Sequence, residues 1–260
     1  MKIIDMHNHA FADKISEKAV INLGNFYEFP PLSQKGTYQD LKDNIKKAQI
    51  DKFLFCATAT TPHQVISLNN YIISHLENCN IGFGSIHIDF ENPVDEIKRI
   101  VSLGIAGIKL HPDFQKFNAD DKKLETIYSY CRDNNIPILI HAGDKRFDYS
   151  SPKRIRNIID NFKGIKIIAA HLGGYSRWED SKKYLCGQNI FFDTSSAIAF
   201  LTSQESVNII RNHGADKIFF GTDYPITTNL EELKRFLALP LIEKEQEAIL
   251  YKNAEKFLQL

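Results

Sequence analysis

Two histidines stand at alternate positions near the start of the chain, His7 and His9 in KIIDMHNHAF (residues 2–11). On an extended segment alternate side chains share a face, so both imidazoles point the same way. Buried ring nitrogens need partners. Polar, titratable residues recur at the ends of later apolar runs: Lys109 and His111, His141, His171 and Asp223. Each alone is accounted for as a structural hydrogen-bonder. Gathered in one pocket, they would crowd polar groups whose burial is costly without a compensating cation. Neutral His7, His9 and His141 with the Asp223 carboxylate suit a divalent ion, zinc first, with iron or manganese as alternatives. Such an ion lowers the pKa of bound water from about 15.7 to about 7. Asp223 is then the candidate general base. His171 either completes the ligand set or hydrogen-bonds the water or a developing substrate charge.

The elements that must position these residues are legible as alternating runs. Strand candidates cover 2–7, 51–58, 81–88, 107–111, 136–141, 165–171, 189–195 and 216–223. They are β-branched, aromatic and nearly continuous in apolarity, as strands buried on both faces should be. Between them lie helical patterns. Asn92-Pro93 opens one, with Ile97, Ile100 and Val101 inward. Asn118 precedes a stripe of Leu124, Ile127, Tyr128 and Cys131, and Ser151-Pro152 opens a helix with Ile155, Ile158, Ile159 and Phe162 on its apolar face. Gly214 marks a helix end, and EKEQEAILYKNAEKFLQL closes the chain as a helix. This alternation calls for a parallel sheet with right-handed crossovers. Eight strands fit a closed (β/α)8 barrel spanning residues 1–260 as one domain. An open doubly wound sheet would be expected to carry a glycine-rich phosphate loop after an early strand, where this chain has HNHAF. In a barrel all strand ends meet at one mouth, so the scattered histidines and Asp223 converge.

The ordered set IDMHNH, GIKLHP, PILIHAG, AAHLGG, and FFDTSSA followed by FFGTDYP resembles the amidohydrolase superfamily, nearest its amidohydrolase-related branch with aminocarboxymuconate semialdehyde decarboxylase-like proteins. The resemblance runs from residue 2 to about 258. It implies a distorted (β/α)8 TIM barrel with metal held by His7, His9, His141 and Asp223. His171 is implied as a ligand or catalytic residue, and Asp223 as both ligand and base. The branch contains amide and lactone hydrolases beside non-oxidative decarboxylases. In binuclear members a strand-four lysine is carboxylated and bridges two metals, and GIKLHP resembles that pattern. As an ammonium, Lys109 cannot ligate and would pair with Asp223 or a substrate anion. Carboxylated, it would join His171 in a second metal site about 3.5–4 Å from the first. One divalent ion is expected, two if Lys109 is carboxylated. Nuclease members generally carry glutamate at this position.

Lys and Arg total 32, balanced by 32 Asp and Glu, with a pI near 7.1. That leaves no electrostatic footprint for nucleic acid or an anionic membrane. Cys56, Cys79, Cys131 and Cys186 form no CxxC and read as free thiols in a reducing compartment. No signal peptide is expected, because Asp5 and His7 precede any long apolar stretch. No run approaches the ~20 apolar residues of a membrane span. A cytoplasmic protein acting on a small molecule is the expectation, with a homodimer left open. Residues 11–36 read as a long loop over the mouth, a lid or specificity element in which Phe11, Phe26, Tyr27 and Phe29 form an apolar wall. Lys145, Arg146 and Arg177 fall near the same rim. His111, Arg146 and Arg177 are candidates for touching substrate, the arginines by gripping a carboxylate. Asp193 and Ser195 share a face and are read as supports for the metal ligands. His63, His75, His87 and His213 are assigned no chemistry. The leading expectation is a metal-dependent hydrolase of an amide, lactone or related bond. A metal-dependent decarboxylase of a small carboxylic acid and a silent metal- or ligand-binding barrel are the alternatives.

Overall fold

Short β-branched and aromatic runs, apolar on both faces, form strands that need cover on each side. The computed structural model, which describes residues 1–260, supplies that cover as a barrel. Its eight parallel strands are β1 (Ile4–Asp5), β2 (Lys52–Cys56), β3 (Asn80–Ser85), β4 (Gly107–Leu110), β5 (Ile138–Ile140), β6 (Ile167–Ala169), β7 (Phe191–Asp193) and β8 (Ile218–Phe219). Each pairs with the next in order. β8 returns to β1 through Met6 N–H donating to Phe220 O and Asp223 N–H donating to His7 O, both at 2.8 Å. The ring is therefore a (β/α)8 barrel.

One set of side chains, including Ile4, Met6, Leu54, Phe83, Leu139, Ile168 and Phe219, fills the barrel interior with Ala254 and Phe257 of the C-terminal helix. The opposite parity, including Phe55, Ile108, Ile140, Ile167 and Phe192, belongs to the larger core of sheet and surrounding helices. Each fully buried side chain of this kind is worth about 1.5–3 kcal/mol.

The helices between strands are α1 (Asp13–Tyr27), α2 (Tyr38–Lys47), α3 (Val65–Ser74), α4 (Pro93–Ser102) and α5 (Pro112–Gln115). Beyond them come Glu125–Asp133, Pro152–Asn161, Trp178–Tyr184, Ser203–His213 and Asn229–Leu237. The C-terminal helix continues through Ala248–Lys252 to Asn253–Leu258. Gly214 ends its helix with φ 108°, and Pro93 and Pro152 open theirs. Three local expectations are revised. Residues 11–36 are not one long loop, because α1 takes up most of them. Val20, Leu23 and Gly24 are buried at helical spacing, but Ala12 gives no side-chain cap and Gly24 interrupts the pattern. Asn92 precedes α4 without a side-chain cap bond. The helix expected after Asn118 begins at Glu125, after a tight turn capped by Asp121.

The turn of the polypeptide that aims the first two histidines is a one-residue insertion. Asp5 pairs with Phe53 and His9 with Cys56. One strand therefore advances four residues (9 − 5) while its neighbour advances three (56 − 53), which is a β-bulge. Ile4 and Met6 stay in the interior core. After the bulge Asn8 donates through Nδ2 to Leu54 O, and His7 and His9 take the inward parity. No helix is long and apolar enough to cross a membrane, and all four cysteines are free.

Candidate active site

At the C-terminal mouth of the barrel lies a cavity of about 650 Å³. His9, Lys109, His111, His141, His171 and Asp223 form its polar end. Phe11, Ile15, Leu23, Phe26 and Tyr27, with Leu68 and Tyr71 of α3, form an apolar wall. Phe29 is not part of that wall; it stacks on Tyr27 and Phe200.

The ring nitrogens are assigned by their partners. His7 Nδ1–H donates to Asp193 Oδ2 at 2.9 Å, leaving a lone pair on Nε2. That nitrogen lies 3.2 Å from His9 Nε2 and 3.7 Å from Asp223 Oδ1, and His9 Nε2 lies 3.4 Å from the same oxygen. Donors bound about 2.0–2.2 Å from one ion at near-tetrahedral angles lie about 3.2–3.6 Å apart, so these three atoms fit a shared cation. His171 Nδ1–H donates to Ser195 O at 2.9 Å, and His141 Nε2–H donates to Gly143 O at 2.8 Å. Their remaining nitrogens, His171 Nε2 and His141 Nδ1, stand 3.0 Å apart. Two lone pairs at that distance repel unless a positive charge lies between or beside them. The donor set thus fits a divalent ion on both counts. His141 is the expected ligand that the geometry separates from the other three: its free nitrogen lies against His171, whose ring stacks on His7 at 5.3 Å between centroids.

The electrostatics hold three of the four rings neutral. Burial, then Lys109, holds His7 down to about 4, and burial lowers His141 and His171. These rings are therefore neutral, as metal ligation requires. Burial opposes charge on His9 as well, but Cys56 and Asp223 outweigh it and push this imidazole up to about 9. Burial also opposes charge on Asp223, yet His7, His9 and His171 hold its carboxyl well below the usual range. Ser196 Oγ–H donates to Asp223 Oδ2 at 2.6 Å. Both His171 (φ 62°) and Asp223 (φ 61°) sit in the left-handed region, where a residue other than glycine costs about 1 kcal/mol or more and where strain collects at functional sites.

Residues 4–260 match the amidohydrolase family. The chain belongs to that family. This amidohydrolase also shares its fold with solved structures of low identity. A 5-carboxyvanillate decarboxylase from Sphingomonas paucimobilis superposes with a TM-score of 0.78 at 13% identity, covering 100% of this chain and 99% of that one. A dihydroxybenzoic acid decarboxylase from Polaromonas sp. with bound manganese and the inhibitor 2-nitroresorcinol gives 0.77 at 16%, covering 100% and 97%. A protein named as a probable 2-pyrone-4,6-dicarboxylic acid hydrolase, from Acinetobacter baumannii, gives 0.72 at 16%, covering 100% of both. No curated protein matches the sequence.

The remaining candidates of this amidohydrolase separate by position. Lys109 is wholly buried and its Nζ donates to His7 Nε2 at 2.9 Å. His111 Nδ1 accepts from Phe114 N–H at 3.3 Å, its Nε2 lies 3.0 Å from Tyr27 Oη, and its ring stacks on His141 at 4.0 Å. Arg146 and Arg177 do not line the main cavity. Arg146 makes a bidentate pair with Asp144 and lies over the Phe26 ring, and Arg177 pairs with Asp180 and Asp148. Their rim position put them near the mouth, but each guanidinium is satisfied by acids beside it, Asp144 for Arg146 and Asp180 and Asp148 for Arg177. Asp193 accepts from His7 Nδ1–H and the His171 and Ser195 amides, the supporting part expected of it. Ser195 Oγ lies 2.9 Å from His7 Nδ1 and 3.0 Å from His171 Nδ1. Sequence reasoning gave no role to Ser196 or to a polar Tyr27. The SSA that follows FFDT was the only trace of the first, and nothing short of the α1 helix could have aimed the second.

Proposed function

We propose that this amidohydrolase is a metal-dependent decarboxylase of a small carboxylic acid with an apolar, aromatic-sized body. The observation that carries the reading is the composition of the cavity: one polar end with the metal-fit donors and Lys109, a wall of aromatic and aliphatic side chains with Lys18, Asn22, Thr58, Thr60, Gln64 and Ser67 among them, and no arginine in the lining. A carboxylate head fits the first and a hydrocarbon or ring the second. A single buried cation beside the ligands suits one carboxylate better than two. The decarboxylases from Sphingomonas and Polaromonas that share the fold support it.

His7 Nε2, His9 Nε2 and Asp223 Oδ1 would hold the ion, with the free nitrogens of His141 and His171 beside them. Manganese, bound in the Polaromonas structure, is placed ahead of zinc; a histidine and carboxylate set accommodates both. A bound divalent ion supplies Lewis acidity and fixed positive charge at the carboxylate end. In the reaction the bond from carbon to carboxylate breaks, its electron pair stays on carbon, carbon dioxide leaves and a proton reaches that carbon. Asp223, ionised at rest and fixed by Ser196, is placed to carry that proton between water and substrate. The apolar wall strips water from the carboxylate and from the carbon that must be protonated.

Hydrolysis is the second reading, favoured by the same Asp223, whose carboxylate is held ionised and so free to accept a proton from an attacking water, and by the Acinetobacter fold relative. A cavity without arginine fits that relative's dicarboxylate poorly. The deciding experiment is a screen of substituted benzoic acids, amides and lactones with manganese-loaded protein. Carbon dioxide release from an acid, lost in His7→Ala, is the expected result. Cleavage of a lactone or amide with no acid consumed would overturn it.

A further inference from the structure

The polar side of Tyr27 has no place in the reading above. It sits at the last turn of α1, on the cavity wall, and its ring is fixed on several sides. Phe26, Phe114 and Tyr175 meet it edge-on, with centroids 4.9, 5.8 and 5.5 Å away. Its hydroxyl has one partner in the protein, His111 Nε2 at 3.0 Å. The direction of that bond is set from the other side of the imidazole. His111 Nδ1 accepts from Phe114 N–H at the start of α5, so in the neutral ring Nε2 carries the hydrogen and donates to Tyr27 Oη. The tyrosine oxygen is thereby used as an acceptor, and its own O–H is left to donate into the cavity. His111 lies flat against His141, with ring planes 9° apart, and the Tyr27 ring lies 6.1 Å from that of His141, so this donor stands at the polar end of the cavity.

We propose that Tyr27, oriented by His111, is a substrate-recognising donor whose hydroxyl binds the carboxylate oxygen turned away from the metal ligands. The inference rests on the carboxylic-acid reading of the site and adds to it a second point of attachment. A lone metal–oxygen contact lets a flat substrate pivot; a second donor fixes the plane of the carboxylate relative to the body in the apolar wall. Tyr27 takes the part that arginine plays at many carboxylate sites, with a neutral group that costs less to bury.

Benzoate is the probe, titrated calorimetrically into manganese-loaded full-length protein. Tyr27→Phe should weaken benzoate binding about tenfold, the loss of one charge-assisted hydrogen bond, while manganese affinity stays at the wild-type value and the protein still unfolds cooperatively. His111 is a positioning residue: His111→Gln, which keeps a donor toward Tyr27, should bind benzoate within about threefold of wild type, and His111→Leu should match Tyr27→Phe. Benzoate bound equally by wild type and Tyr27→Phe would overturn the role of Tyr27 and leave the decarboxylase reading standing. Wild-type protein that holds manganese and does not bind millimolar benzoate would overturn both. Equal weakening by His111→Gln and His111→Leu would remove His111 as the orienting group.

Discussion

His141 Nδ1 and His171 Nε2 face one another at 3.0 Å, and each ring has already given its one hydrogen to a backbone carbonyl, Gly143 O and Ser195 O. Neutral imidazoles so fixed cannot hydrogen-bond each other. A divalent ion beside them relieves this repulsion, so its binding should stabilise the fold by mass action. At about 100 times the dissociation constant the gain is about 2.7 kcal/mol, a rise in melting temperature of roughly 5–10 °C for a chain of this size. Differential scanning fluorimetry with manganese, zinc and a chelator measures it. The expected pattern is a rise with metal, reversal by chelator, and no response in His7→Ala.

Asp223→Asn keeps the shape of the carboxylate and a possible metal contact through its amide oxygen, but it cannot carry a proton. Turnover should fall by about 10²–10⁴, the range for loss of a general acid or base, with much less change in KM. Steady-state kinetics on whichever acid releases carbon dioxide would show it. A variant within about threefold of wild type would move the proton transfer to another residue.

Lys109 and a metal compete for one lone pair, because its Nζ donates to His7 Nε2 at 2.9 Å. Either the lysine is carboxylated and ligates, or it turns from His7 to the substrate anion when metal binds. The cavity lining includes Lys109, so the second course is open without rebuilding the site. The expected outcome is one divalent ion per chain by elemental analysis and an intact mass with no added carboxyl group. Two ions per chain with a carboxylated lysine would establish the bridged site instead.

The barrel was legible because strands covered on both faces leave long apolar runs, and because a parallel ring must bring every run's end to one mouth. That logic placed His7, His9, His141, His171 and Asp223 together across more than 200 positions of sequence. It did not show the bulge after Asp5, since one added residue leaves no mark in composition even though it sets where His7 points. α1 escaped because its buried stripe is short and uncapped, and with it went the polar role of Tyr27. Arg146 and Arg177 have acids close in sequence, Asp144 and Asp180, that spacing alone offers as partners; only Asp148, 29 residues from Arg177, is brought by loop geometry that spacing does not encode.

Gly221 packs directly beneath the metal-fit histidine. A Cβ there would lie 3.0 Å from His7 Cβ and 3.3 Å from the Cβ atoms of Asp193 and Ser195. Those carbons are tied to backbone and cannot swing aside, so Gly221→Ala must push His7 or its Asp193 support. Overpacking of this kind costs about 1–3 kcal/mol, while a disturbed support of a ligand costs about 10–100-fold in metal affinity. Titration calorimetry with manganese should therefore show a large loss in a protein that still unfolds cooperatively. Wild-type affinity in Gly221→Ala would mean that His7 does not hold the ion.

His213 lies well outside the site and offers a test of the packing alone. It is buried and stacked on Phe192 at 3.8 Å, and its Nε2–H donates to Ile190 O at 2.9 Å. Its Nδ1 has no partner. Burial holds this imidazole from the ordinary 6.5 down to about 4. The folded chain therefore binds this proton later than the unfolded chain as pH falls. The associated stability is complete above pH 6.5, drains away between 6.5 and about 4, and changes no further below that. The gap amounts to about 3 kcal/mol. His213→Gln places an amide N–H where Nε2–H was and cannot titrate. Urea unfolding across pH 4–7 should show the variant's stability falling less steeply than wild type by about that amount; parallel curves would mean that His213 is reached by water and protonates freely in the folded chain.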